Sequence, residues 1–388
     1  MSSAVVHILR KRSRRRHSWV FSNEVRHAEG APQPGDCVRV YERGRFVGTG
    51  LYNPNSLIQV RLYSAEDREL DAALMVERIT RARQLRERSL PTEEDFRLVY
   101  GESDGLPGLV IDRYRGHYVL QTYALGMDLR QQQICRALTD CFPVAAIVER
   151  NDFRLREAEG LQRREGVLQG GPAARVQIEE SGVRFEADIL HGQKTGHYFD
   201  QRVTRRKVRR IAEGRSVLDV FCYTGGFAVN AALGGATRVE AVDSSDAACR
   251  LAVRNAELNG VEQRCRFVVA EAAEHLKRLD RDGTRFDLVC LDPPSYIRSR
   301  REREAGRRAF RRVNALAMRL LSPTGILVTS SCSHHLSWQD MFDVLCAAAQ
   351  DAGRDFMLLD RSTQGPDHPV LLSMPESEYL RSVFLGVI

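Results

Sequence analysis

Several things are scarce in this chain, and each scarcity excludes a class of protein. No uninterrupted apolar stretch approaches the roughly 18 residues that a membrane span requires, which excludes a transmembrane protein and leaves no membrane partner to expect. No Cys-x-x-Cys pair occurs: the nine cysteines (37, 135, 141, 222, 249, 265, 290, 332, 346) are scattered and odd in number, and no secretory apolar segment opens the chain. That pattern argues for reduced thiols in a cytoplasmic protein rather than a disulfide framework or a zinc ribbon. No acidic residue precedes Glu24, a faint likeness to a mitochondrial transit peptide, but the strand-like WVFSNEV follows at once. Lysine is almost missing: four (11, 194, 207, 277) stand against 54 arginines. The planar guanidinium suits bidentate phosphate contacts, although a solvated basic surface is the bland alternative.

The 388 residues carry a net charge of +7, and the surplus is N-terminal: residues 1 to 90 hold 17 basic against 10 acidic side chains. At about 150 residues per domain, this length implies two to three domains. Residues 1–75 read as a small β-rich unit, with a hairpin around Glu42-Arg43-Gly44 and a further strand, SLIQVRLY, after Asn53-Pro54-Asn55. The helical period of LDAALMVERITRARQLRERSL leads to Pro91 and a mixed α/β unit over 76–175, with strands LVIDRY, YVLQTY and AAIVER around a helix LRQQQICRALTDCF. Gly170-Gly171-Pro172 reads as a linker, and a hairpin around Ser181-Gly182 opens a third unit, 176–388.

In that third unit five apolar runs (SVLDVF, TRVEAVD, CRFVVA, FDLVCLD, GILVTSS) each precede a helical segment. Continuous apolarity means strands covered on both faces, so the fold class is α/β with a doubly wound, mainly parallel sheet. DFMLLDR and YLRSVFLGVI lack a crossover helix between them and are expected as an antiparallel terminal hairpin.

Ligands of open parallel sheets bind at the carboxyl ends of the strands. Here those ends read Asp219-Val220-Phe221-Cys222-Tyr223-Thr224-Gly225-Gly226 and then Ala241-Val242-Asp243. The glycines would let the backbone approach a ligand, and Asp243 is placed to accept both hydroxyls of a ribose. The G-x-G-x-x-G turn that admits a pyrophosphate is lacking, so a nucleoside without phosphates, S-adenosylmethionine, fits better than a nicotinamide cofactor. After the fourth run comes Asp292-Pro293-Pro294-Ser295-Tyr296, a rigid turn that aims the Asp292 carboxylate at a planar substrate edge, with Tyr296 able to stack on a base. Eight arginines follow between Ile297 and Arg312, with Glu302 and Glu304 as the acids among them; phosphate contact is favoured there, from Arg298, Arg300 and Arg301 beside the loop.

The combination GQKTGHYFDQR (192–202), LDVFCYTGGF, LDPPSY and SSCSHHL resembles the bacterial large-subunit ribosomal RNA methyltransferase I family, which makes 5-methylcytidine in 23S RNA. The likeness spans nearly the whole chain: RRHSWVFSNEV and GTGLYNPNSLIQVRL resemble that family's N-terminal PUA domain, a β-barrel, and YGESDGLPGLVIDRY its middle domain. The resemblance implies a Rossmann-like class I methyltransferase domain with a seven-stranded sheet. Its partner would be 23S ribosomal RNA or a large-subunit precursor, and a self-pairing PUA-like surface would accommodate a homodimer. It implies a cofactor shell of Lys194, Thr195, Gly196, Tyr198, Asp200 and Arg202, continued by Asp219, Phe221, Gly225, Asp243, Glu271 and Asp292. Many relatives carry Asp where this chain has Glu271.

Cytosine C5 is a poor nucleophile, so a thiolate must first add to C6, and the family places its nucleophile in the S-C-S setting that Cys332 occupies. Asp292 would hydrogen-bond N3 and the amine of the base, with Pro293 and Tyr296 beside it. Two-cysteine relatives carry a second Cys where this chain has Ser295, and Cys290, within a strand, reads as a buried thiol. Cys332, His334 and His335 lack a second ligand cluster, so no metal is expected. Two rivals remain: an N-methyltransferase using the DPPSY loop on an exocyclic amine, and a non-catalytic RNA-binding assembly factor.

Overall fold

The computed structural model describes residues 4–9, 17–171, 175–297 and 300–388. Arg298, the arginine-rich start at 10–16 and Pro172 lie outside them, as does the side chain of Arg300. The chain forms two compact units. One comprises Met1–Ile178, Ala187–Phe199 and Pro366–Ser377; the other comprises Glu179–Glu186, Asp200–Gly365 and Glu378–Ile388.

The first unit holds two sheets. Strands β1 (Val5–Ile8), β2 (Trp19–Phe21), β3 (Val25–Glu29), β4 (Cys37–Glu42), β5 (Arg45–Tyr52) and β6 (Ile58–Ser64) pair in the order β2-β6-β5-β4-β1-β3. The expected β4–β5 hairpin and the strand after Asn53 are present. WVFSNEV, expected as one strand, is two: a 3-10 turn at Ser22–Glu24 separates β2 from β3, held by the Glu24 carboxylate accepting from the Phe21 N–H at 3.0 Å. Helix α1 (Ala72–Ser89), capped by Asp71, leads to the second sheet. There β7 (Phe96–Tyr100), β8 (Leu109–Tyr114), β9 (His117–Thr122), β10 (Ala146–Asn151) and β11 (Arg164–Gly170) lie in sequential order, with α2 (Leu125–Asp128) and α3 (Gln131–Cys141) between β9 and β10. β7 and β11 carry no clear period in the sequence. Gly170 is the last residue of β11 rather than a linker, and a Cβ there would lie 2.1 Å from the Ala145 carbonyl oxygen.

Segment Ala187–Phe199 packs within this first unit. The Thr195 hydroxyl donates to Asp112 at 2.5 Å, and the Phe199 ring lies 5.2 Å from that of Tyr114. Asp367, in the returning segment, accepts from the Arg97 N–H at 3.0 Å.

A hairpin of β12 (Arg175–Glu180) and β13 (Val183–Asp188) carries the chain into the second unit. Here α4 (Arg202–Ile211) precedes the alternation β14 (Ser216–Val220), α5 (Gly226–Leu233), β15 (Arg238–Asp243), α6 (Asp246–Leu258), β16 (Cys265–Val269), α7 (Ala272–Arg281), β17 (Phe286–Leu291), α8 (Arg303–Arg319), β18 (Leu321–Ser331), α9 (Trp338–Ala352). The chain closes with β19 (Phe356–Thr363) and β20 (Arg381–Val387). The sheet runs β16-β15-β14-β17-β18-β20-β19: five parallel strands, then β20 antiparallel to both neighbours, the terminal hairpin expected. Its core joins Leu218, Val220, Val289 and Leu327 of the strands to Leu276, Phe310, Met318 and Leu345 of α7, α8 and α9. Strand order reverses at β14, which puts the switch point, and the crevice it opens, at the ends of β14 and β17.

Candidate active site

All the strand-end residues singled out in the second unit share one edge of its sheet. Register places Asp219 beside Ala241 of β15 and Cys290 of β17, and Leu291 beside Thr329 of β18. Asp219, Asp243, Glu271, Asp292 and Cys332 therefore each stand at or just past the carboxyl end of a parallel strand.

Asp219 is fully buried. One carboxylate oxygen accepts from the Ala228 N–H at 2.9 Å, and the other has no hydrogen-bond partner among the described residues. Burial pushes its carboxyl up to about 8; the Ala228 N–H opposes the rise, while the carboxylates of Asp292 and Asp243 add to it. A buried, unpaired oxygen is costly and needs a reason. The turn that follows is also strained: Phe221 (φ +65°) and Tyr223 (φ +46°) adopt the left-handed region without being glycine, at a cost of order 1–3 kcal/mol each. Gly225 (φ +80°) caps α5, and the space a Cβ would take is bounded by Ala252 and Phe267 at 3.1 and 3.2 Å, so helix packing as well as backbone freedom requires glycine there.

Asp243 accepts from the Tyr223 N–H with one oxygen and from the Ser245 N–H with the other, both at 2.9 Å, which locks its orientation. Glu271 is the exposed N-cap residue of α7, with no side-chain capping bond. Asp200 is buried just before α4 and accepts from the Tyr379 hydroxyl at 2.5 Å; Arg202 is buried in the first turn of that helix. Between them sits Gln201, which sequence reasoning missed as a site residue: it is 3% exposed and neither amide atom has a partner among the described residues. Its place in the Asp200-Gln201-Arg202 run was the available signal. Tyr379, also missed, gave none.

Lys194, Thr195, Gly196 and Tyr198 lie in the first unit. Lys194 (φ +57°) sets its ammonium 5.1 Å from the Tyr198 ring centroid, and the Tyr198 hydroxyl donates to Gln193 at 3.1 Å. Thr195 is fully buried with its hydroxyl committed to Asp112, and Gly196 (φ +114°) passes so close to the Asp188 carbonyl that a Cβ would sit 2.8 Å from its oxygen.

The Asp292 loop and the Cys332 loop are tied together. Ser295 and Ser333 both donate their hydroxyls to the Ile297 carbonyl, at 3.2 and 2.9 Å. A cleft beside them is lined by Pro293, Pro294, Tyr296, Ile297, Phe310, Ser331, Ser333 and Leu336; the Asp292 and Cys332 side chains are not part of its lining. Cys332 is half-buried, flanked by two buried serines, whereas Cys290 is 1% exposed and burial holds its thiol well above the usual range. His334 is exposed and lies 5.6 Å from the Tyr379 ring. The group of ligand atoms close enough to share a metal ion among the described residues is His7, His27 and Glu29 of the first unit, not Cys332 with its histidines.

Another residue escaped sequence reasoning. Gly306, on α8, is buried against the DPPSY loop so tightly that a Cβ would lie 2.4 Å from Ile297 Cγ1 and 2.5 Å from the Tyr296 carbonyl oxygen. A lone glycine within a helix reads as a flaw in the sequence; here it seats the helix on the loop. Gly306→Ala should gain about 1 kcal/mol of helix propensity but push Tyr296 away. Since displacing a group in a reaction site by 1 Å can cost about 100-fold, turnover at this loop should fall by about 10- to 100-fold while the melting temperature shifts by a few degrees at most. Unchanged turnover would show that the contact does not position the loop.

The arginine run needs a correction. The acids that balance it are not only Glu302 and Glu304. Arg303 and Arg307 pair with Asp340 of α9, and Arg311 makes a bidentate pair with Asp351 at 2.6 Å. Arg301 is exposed, in the 3-10 turn before α8.

Chemically, this edge collects Asp200, Asp219, Asp243, Glu271 and Asp292 at strand ends and helix starts. Such a set disfavours a pyrophosphate and suits a cationic nucleoside, with the unpaired Asp219 oxygen open to a ligand. The comparisons agree. Residues 162–371 match the family described as S-adenosylmethionine-dependent methyltransferase, and residues 9–65 match the PUA-like domain. Ribosomal RNA large subunit methyltransferase I of Erwinia tasmaniensis is 38% identical over 380 residues, 96% of each chain. The protein of the same name from Vibrio cholerae serotype O1 is 39% identical over 385 residues, 97% of each. In fold, a SAM-dependent methyltransferase from Streptococcus mutans superposes with a TM-score of 0.85 at 20% identity, over 99% of this chain and 100% of that one. Identity over essentially the full length, together with the strand-end site, places this chain in the ribosomal RNA large subunit methyltransferase I family, with S-adenosylmethionine as its cofactor.

Proposed function

We propose that the protein methylates C5 of a cytosine in large-subunit ribosomal RNA, in the cytoplasm, through a covalent adduct on Cys332. The observation that supports this reading is the shared Ile297 carbonyl, which ties the Asp292 loop to the Cys332 loop. In the cofactor crevice, Asp243 would bind the ribose hydroxyls and Glu271 the adenine amine, with Asp200, Arg202, Asp219, Phe221 and Gly225 completing the wall. When bound, S-adenosylmethionine supplies an electrophilic methyl group.

Every other step falls to the chain's own residues. The Cys332 thiolate adds to C6, forming the S–C6 bond and moving electron density to C5. The Arg381 guanidinium, donating to the Ser333 carbonyl at 3.5 Å, places positive charge one residue away, which favours the thiolate. Asp292, as its carboxylic acid, donates its proton to N3 and accepts from the exocyclic amine, so that the protonated ring neutralises the negative charge that thiolate addition creates. Once C5 carries the methyl group, solvent takes the C5 proton, the C–H electron pair re-forms the C5–C6 double bond, and the S–C6 bond breaks to free the thiolate. Tyr296, half-buried at the cleft, stacks on a base flipped out of its helix. Ser295 stands where two-cysteine enzymes carry their second thiol, and its hydroxyl is committed to the Ile297 carbonyl.

The test is nucleoside mass spectrometry on unmodified 23S RNA and on large-subunit precursor particles, each incubated with the protein and S-adenosylmethionine. A 5-methylcytidine peak in either is expected. An N-methylated base would retire the covalent step, and no methylation of either substrate would favour a binding role.

A further inference from the structure

The arginines of α8 and the turn before it divide by partner. Arg303, Arg307 and Arg311 are committed to Asp340 and Asp351 of α9, and Arg319 donates to the Asp351 carbonyl. Arg301, Arg308 and Arg312 are exposed and form no ion pair or hydrogen bond among the described residues; even Glu304, one turn before Arg308, is not paired with it. At 100° per residue Arg308 and Arg312 lie about 40° apart around α8 and about 6 Å apart along it, and Arg301 stands in the 3-10 turn that leads into the helix. The ridge is tied to the reaction cleft at two points. Gly306 seats the helix against Tyr296 and Ile297, and Arg312 lies near enough to Tyr296 to oppose the rise that burial gives its hydroxyl.

We propose that Arg301, Arg308 and Arg312 form a phosphate track that engages the RNA strand flanking the target base and sets its register on the Tyr296 loop. The inference rests on the reading of the substrate as RNA. Three unpaired guanidinium groups, with the single carboxylate of Glu304 beside them, leave a net positive charge complementary to a phosphodiester backbone, whereas the ion-paired arginines already have their anions. The ridge carries no base-reading geometry, so its contribution is to affinity and register rather than to sequence choice. These are positioning residues, and their loss should fall on KM more than on kcat.

The experiment is binding of in vitro transcribed, unmodified 23S RNA by the full-length protein across a potassium chloride series, for the wild type, Arg301→Gln/Arg308→Gln/Arg312→Gln, and Arg311→Gln. Each phosphate contact contributes about 0.7–0.9 to the slope of log K against log salt. The triple variant should therefore lose about two units of slope and bind about 10- to 100-fold more weakly at moderate salt, with KM for RNA rising in proportion. Arg311→Gln should keep the wild-type slope and lower the melting temperature instead. A triple variant with the wild-type slope and KM overturns the track, and so does an equal loss of slope in Arg311→Gln, because the effect would then be one of bulk charge. The nucleoside product, read in the same reactions, separates the two ideas: an N-methylated product retires the C5 mechanism without touching the slope result, and 5-methylcytidine with an unchanged slope retires the track alone.

Discussion

Cys332→Ala protein incubated with 23S RNA and S-adenosylmethionine should yield no detectable 5-methylcytidine, a loss of at least about four orders of magnitude, in line with removing a nucleophile from a covalent enzyme. The size follows from the chemistry. Without addition at C6, C5 has no enamine character and nothing in the cleft replaces it; Cys332→Ser should be nearly as inactive, because an unactivated hydroxyl is far less ionised than a thiol. Binding of S-adenosylmethionine should survive, since the residues assigned to its wall stand at the ends of β14 and β15, at the N-cap of α7 and at the start of α4, while Cys332 follows β18. A specific trap strengthens the test. RNA carrying 5-fluorocytidine cannot lose its C5 substituent as a proton, so a covalent complex should accumulate with the wild type and with Cys290→Ala, whose thiol is buried in β17, but not with Cys332→Ala. Full activity in Cys332→Ala would hand the site to amine chemistry at the Asp292 loop, for which no thiol is needed.

Much of the second unit was legible in its sequence because burial on both faces leaves an unmistakable record. Val217, Leu218 and Val220, and Leu288 to Leu291, are essentially inaccessible, and no other arrangement covers such runs. The strand-end acids followed from the same logic, since a parallel sheet delivers its carboxyl ends to one edge. What escaped has a common physical character: it depends on partners remote in sequence. The ion pairs that silence Arg303, Arg307 and Arg311 come from residues 33 to 40 positions away, on a different helix. The packing of Thr195 on Asp112, 83 residues upstream, puts a segment of the GQKTG motif into the first unit's core, which no local pattern announces. Phe221 and Tyr223 at positive φ are equally silent, because only glycine advertises that conformation. Gly306 did advertise itself, but a helical glycine signals flexibility and close packing alike, and only the contact with Tyr296 decides between them.

Asp219→Asn should change how stability depends on pH more than it changes stability at any one pH. With its carboxyl near 8 in the folded protein and near 3.8 when exposed, Asp219 binds a proton on folding anywhere between those values. The sign follows: the folded state binds more protons than the unfolded one, so stability falls as pH rises, by about 1.4 kcal/mol per pH unit from this group. The stability that protonation supports is fully present below about pH 4 and is lost by about pH 8. Asparagine keeps the shape and can still accept from the Ala228 N–H, but its amide donors find no partner where the orphan oxygen lay, which costs about 1–3 kcal/mol. At pH 5 the variant should therefore be the less stable protein. Between pH 5 and pH 8 the difference should move in its favour by about 4 kcal/mol, so that the order reverses before pH 8. Urea unfolding of both proteins at those two pH values, followed by a probe in the second unit, measures the difference directly. Parallel pH profiles would mean that Asp219 is already ionised at pH 5. Asp219 would then add a full negative charge to the crevice throughout, and its own contribution to the attraction for a cationic nucleoside would owe nothing to pH in this range.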